Sequence, residues 1–127
     1  MSIVAVPPVA RDGFSIQLAD VADQLHVQVV GNADMEVLPA MSPFLKQLHQ
    51  EAGRAGLHEV HVDLRELYFM NSSCLKAFVL WISSVSKLPA AEAYRIRFLS
   101  NSKLHWQRRS LEALRAFAPD VVDVVSE

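Results

Sequence analysis

The segment Val62-Asp63-Leu64-Arg65-Glu66-Leu67-Tyr68-Phe69-Met70-Asn71-Ser72-Ser73-Cys74-Leu75 gathers two hydroxyls, a carboxamide and the chain's single cysteine directly behind an apolar run. It reads as a buried strand, a short loop and a hydroxyl-rich helix start. The first N–H groups of a helix lack intrahelical acceptors and sit at the positive end of its dipole, so a phosphate on Ser72 would be tolerated there. Plain capping accounts for the same residues, because Ser and Asn are the usual cap residues, and both readings stay open. A nucleophilic Cys74 could use the same helix start to lower its thiol pKa, but no histidine lies near it in sequence to serve as its base.

Other reactive residues group less well. His58 and His61 stand three apart in or just before a strand, where that spacing points side chains to opposite faces and makes no natural chelate. His26 and His61 can share one sheet face, where solvation is the simpler expectation. One cysteine makes neither an internal disulfide nor a thiolate zinc cage, so metal binding would depend on His and carboxylates; no metal site and no cofactor are expected. Lys103, Arg108, Arg109 and Arg115 make the last helix basic on one side, read as a solvated face. With a formal charge of −2 and a pI near 6.2 the chain has no cationic excess to neutralise a phosphate backbone, which argues against a nucleic-acid partner.

These side chains must be positioned by a compact scaffold. The 127 residues suit one domain, and 51% hydrophobic residues with only 4 glycines exclude a largely disordered chain. The apolar run Ala77 to Ile82 is too short to span a bilayer, and Met1 to Ala10 lacks a cationic start, so a soluble cytoplasmic protein without membrane insertion is expected.

Four segments alternate at period two: Phe14-Ile16-Leu18, Leu25-Val27-Val29, Val60-Val62-Leu64 and Tyr94-Ile96-Phe98. Val121 to Val125 can add an edge strand. Met41, Leu45, Leu48 and Ala52 recur at helical spacing behind a Ser42-Pro43 start, with a turn expected around Pro39. Leu75, Phe78, Ile82 and Val85 define a second helix behind Asn71-Ser72-Ser73. Leu104, Leu111 and Leu114 define a third, for which Ser102 is the expected cap. The order is β-β-α-β-α-β-α-β, with residues 1–12 as an N-terminal extension of a single α/β domain.

The first two strands should pair as a hairpin, and later strands should arrive parallel through right-handed crossovers, giving a mixed sheet. Strands buried on both faces would be continuously apolar, so this alternation predicts helices mainly on one face. His26, Gln28, Glu59, His61, Arg95 and Arg97 then occupy the other, with His61, Arg95 and Arg97 at least partly accessible. On the second helix Ser73, Lys76, Leu80, Ser84 and Lys87 form a stripe in which Leu80 is expected to be exposed. Trp81 and Trp106 are expected to be partial core.

Two motifs, in this element order, resemble the STAS domain of bacterial anti-sigma factor antagonists, from about Phe14 onward. Gly31-Asn32-Ala33-Asp34, read as a turn after the second strand, is similar to the family's Gly-x-x-Asp. Val62-Asp63-Leu64 followed by Phe69-Met70-Asn71-Ser72-Ser73 is similar to its strand and Asp-Ser-Ser-Gly loop. The family's Asp is Asn71 here, which keeps a capping side chain without its charge, and its Gly is Cys74, which adds bulk beside the acceptor.

The resemblance implies a non-enzymatic switch: a serine kinase that is also an anti-sigma factor phosphorylates Ser72, and the unphosphorylated form binds that kinase and releases the sigma factor. The expected contact surface centres on Asp34, Asn71, Ser72 and Ser73 and continues along the second-helix stripe through Lys76 and Leu80. The alternatives are a phosphorylation-independent STAS subunit of a larger complex, such as a lipid-transport ATPase, and a small Cys74-dependent enzyme. The oligomeric state is left open, a homodimer included.

Overall fold

The structure, a computed structural model, describes residues 6–21 and 24–126; residues 1–5, within the expected N-terminal extension, lie outside the described residues. Six strands form one sheet in chain order: β1 (Val9–Arg11), β2 (Phe14–Val21), β3 (Gln24–Ala33), β4 (Glu59–Met70), β5 (Arg95–Ser100) and β6 (Val122–Ser126). β1, β2 and β3 pair antiparallel, whereas β4, β5 and β6 each join their predecessor in parallel. Parallel neighbours need a crossover, and α1 (Leu38–Arg54), α2 (Ser72–Ser86) and α3 (His105–Phe117) supply the three. The expected order therefore holds, with one short strand added inside the N-terminal extension.

Register converts the alternation into two faces. Val27, Val62, Phe98 and Val124 lie side by side across four strands, as do Leu25, Val60, Ile96 and Val122. This face is apolar, and the buried side chains of all three helices join it in one core. Phe78 of α2 meets Phe98 of β5 edge to face, with ring centroids 5.9 Å apart.

The opposite face carries the row His26, His61, Arg97 and Asp123. His61 departs from expectation, being buried at 8% exposure. Its neighbours on the sheet enclose it. On the central strand β4 its ring lies 4.7 Å from that of His26, and its Nε2 is 2.6 Å from the Glu59 carboxylate. Arg97 joins the row by pairing with Glu59 at 3.4 Å and Asp123 at 3.1 Å, while Arg95 is exposed as expected.

Two helix starts also differ from the local signals. α1 begins a turn before Ser42-Pro43, with Pro39 in its first turn and Pro43 inside the helix. The apolar stripe explains this, because buried Val37 continues the spacing of Met41, Leu45 and Leu48, and burying that turn outweighs the local cap signal. α3 begins at His105 with no side-chain cap. Ser102 does not cap it, because Asn101 closes a turn first: its side chain accepts from the Lys103 amide and its carbonyl from the Leu104 amide. Among the described residues no helix is long and apolar enough to cross a membrane.

Candidate functional site

The ends of β3 and β4 converge on the start of α2. Residues 31–33, read from sequence as part of a turn, remain in β3, and the turn begins at Asp34. Gly31 is required where β3 passes the start of β2. Its φ is +103°, and a Cβ there would lie 2.0 Å from the Gly13 carbonyl oxygen. The same oxygen accepts from the Asn32 amide at 2.9 Å, which pins this corner. Asp34 then accepts from the Glu36 amide and starts the short 3-10 turn Met35–Val37.

β4 reaches the site by a route the sequence reading lacks. The expected loop after Leu64 is strand, and β4 runs on to Met70. It slips against β3 twice: Gln28 faces Asp63 but Val30 faces Glu66, and Gly31 faces Leu67 but Asn32 faces Phe69. Each slip places one extra residue on β4, as in a β-bulge.

Fully buried Gln107 of α3 satisfies carbonyls in this segment, donating through Nε2 to Leu64 at 2.6 Å and to Leu67 at 3.0 Å. Its Oε1 accepts from the Asn101 amide, and the Asn101 side chain donates to the Arg65 carbonyl. A polar residue on the inward stripe Leu104-Gln107-Leu111-Leu114 was the available signal. Its two carbonyl partners on β4 are forty or more residues away in sequence, so spacing alone could not identify them.

At the junction Asn71 is the N-cap of α2. Its side chain accepts from the Cys74 amide at 2.9 Å, and its own amide donates to the Ala33 carbonyl. Cys74 is fully buried, and its thiol donates to the Asp34 carbonyl at 3.3 Å. The expected bulk beside the acceptor therefore lies inside the fold, linking α2 to the Asp34 turn. Burial, with a contribution from Asp34, pushes the thiol pKa up. This opposes the thiolate a nucleophilic cysteine needs.

Ser72, the first residue of α2, is exposed, and its hydroxyl has no partner among the described residues. Ser73 is half-buried and Lys76 exposed, and Leu80 is exposed as expected. Asp34, Asn71, Ser72 and Ser73 are thus brought to one corner, while Lys76 and Leu80 continue along α2. Met35 and Phe69, 63% and 47% exposed, flank this corner and were missed by the sequence reading. Among the described residues no group of three or more His, Cys, Asp or Glu side chains could hold a metal ion.

No family model matches the sequence, and no curated protein matches it. Among solved structures, an anti-sigma factor antagonist from Mycobacterium paratuberculosis superposes with a TM-score of 0.64 at 18% identity, covering 90% of this chain and 88% of that one. The chain has a STAS-like fold. An uncharacterised protein with a SpoIIAA-like fold from Shewanella loihica gives a TM-score of 0.56 at 18% identity, over 89% of this chain and 85% of that one. Within the STAS-like domain, the Asp34 turn and the Asn71-capped start of α2 are held together by the Asn71–Ala33 and Cys74–Asp34 hydrogen bonds.

Proposed function

We propose that the chain is a non-enzymatic protein-binding regulator of the anti-sigma factor antagonist type, switched by phosphorylation of Ser72. The observation that carries this reading is an exposed, unpartnered hydroxyl beside exposed apolar side chains. Met35, Phe69 and Leu80 lie on the three elements that meet at or lead from the Ser72 corner. Apolar exposure around a polar centre marks an interaction surface. The partner is a serine kinase of the anti-sigma factor type, and Asp34, Asn71, Ser73, Lys76 and Leu80 supply the contacts.

A phosphate on Ser72 adds about −1.5 to −2 charges. It would sit at the positive end of α2, one helical turn from Lys76, so the free domain accepts it without refolding. In a partner interface formed around a neutral hydroxyl, the same charge introduces desolvation cost and repulsion from carboxylates such as Asp34. Binding weakens while the fold persists.

The test is intact mass after incubation with candidate kinases and ATP. Wild type should gain one phosphate, Ser72→Ala none, and Ser73→Ala should remain a substrate. Ser72→Asp should bind the kinase more weakly than Ser72→Ala does. Phosphate mapped to Ser73 would overturn the acceptor assignment, and tight binding by Ser72→Asp would remove electrostatic exclusion as the switch. Partner binding without phosphorylation by any kinase would favour the phosphorylation-independent subunit, a reading consistent with neutral Asn71 at the cap.

A further inference from the structure

A groove of about 200 Å³ runs between α1 and α2, with Leu45, Ala77, Leu80 and Trp81 giving it an apolar lining. Lys46 and His49 also line it, the remaining lining groups are Ser and Gln, and none is a carboxylate. Beneath it runs a hydrogen-bonded chain: Trp81 Nε1 is 2.8 Å from the Tyr94 hydroxyl, which lies 2.7 Å from His49 Nδ1. An indole N–H can only donate, so the tyrosine oxygen accepts from Trp81 and its hydrogen goes to His49 Nδ1. Tyr94 is only 2% exposed, so any other arrangement would leave a buried donor unused. Neutral His49 must then carry its own hydrogen on Nε2, the ring nitrogen not bonded to Tyr94.

Lys46 and His49 stand three apart on α1 and share a side of the helix. Neither the Lys46 ammonium nor His49 Nε2 has a protein partner among the described residues. We propose that this groove binds a medium-chain carboxylate, with its alkyl chain on the apolar lining and its head group on Lys46 Nζ and the His49 Nε2–H.

Charge complementarity selects an anion, because the lining has a cation and a fixed donor but no acid. Both walls are helices whose backbone groups are bonded internally, so an extended peptide would find few acceptors for its N–H groups, whereas a hydrocarbon chain needs none. The volume lies below the roughly 300 Å³ at which drug-sized sites begin, which suits one short chain. The α1 wall from Ser42 to Gln50 is about 12 Å long at 1.5 Å rise per residue. The inference is independent of Ser72 phosphorylation.

Trp81 provides the reporter. In Trp106→Phe it is the sole indole, and its emission is followed at pH 7.5 while sodium decanoate, 1-decanol or decylammonium is added below micelle-forming concentrations. Amide chemical shifts of the wild type give the same reading without a substitution. Decanoate should bind saturably, with shifts confined to α1 and α2, more tightly than decanol and far more tightly than decylammonium. Lys46→Glu, on an exposed position, should keep the circular dichroism spectrum and decanol binding, yet lose about tenfold in decanoate affinity. A non-saturating response, equal binding of decylammonium, or unchanged decanoate affinity in Lys46→Glu would overturn the proposal.

Discussion

The open face of the sheet and the start of α2 are both polar and outward-facing, yet they treat their polar groups differently. On the sheet face, Glu59 engages His61 and Arg97, Arg97 also engages Asp123, and Asp63 holds Arg65. At the start of α2, Asn71 and Cys74 are used internally, while the Ser72 hydroxyl stays unpartnered beside exposed Met35 and Phe69. A surface whose charges satisfy one another offers little to a partner. One that combines an unused hydroxyl with apolar exposure leaves groups free for a partner.

The α2 corner depends on the scaffold beneath it. Gln107→Ala leaves the Leu64 and Leu67 carbonyls without their buried donor and should cost about 3 kcal/mol in denaturant unfolding. Amide shifts should change along the end of β4. A loss below about 1 kcal/mol would mean that the bulged segment satisfies itself.

The two sheet faces are separated by a pair of adjacent substitutions. Val62→Ala should destabilise by about 2 kcal/mol through lost core packing. His61→Ala should cost about 1 kcal/mol, because the buried imidazole and its bond to Glu59 are lost. Near-zero change for His61→Ala would return that face to the role of a solvated surface.

Acid should weaken the fold through its histidines. Burial holds His26 below its ordinary pKa, with His61 adding to the depression and Asp63 opposing it; burial alone lowers His49. The unfolded chain then binds more protons than the folded one once pH falls below about 6.5, so stability declines as pH drops through and below that value. Asp63, held below the usual carboxylate range chiefly by its hydrogen bond from Arg65, loses its contribution only at much lower pH. The melting temperature should therefore fall between pH 7.5 and 5, and His26→Gln should reduce that fall. An unchanged slope in the variant would remove His26 from the account.

Ser72→Ala should change stability by no more than about 0.5 kcal/mol, since its exposed hydroxyl has no hydrogen-bond partner among the described residues. A larger loss in thermal unfolding would make Ser72 a structural residue, like those of the sheet face.

Local periodicity made most of the elements, and the direction of their side chains, legible in the sequence. Period-two alternation specifies which residues of a strand share a face, so the apolar rows through Val62 and Leu25, the antiparallel hairpin and the helix-mediated parallel strands were legible. So was Asn71 at a helix start, because capping involves residues only three apart. What covers a side chain, or what completes its hydrogen bonding, depends on strands and helices distant in sequence. Tertiary structure alone therefore packed the His26 ring against His61 from the next strand, drew Ser42 and Pro43 into α1, lengthened β4 through two bulges and placed Gln107 against them. Local spacing sets where a side chain points; burial and partnership are decided by everything that packs around it.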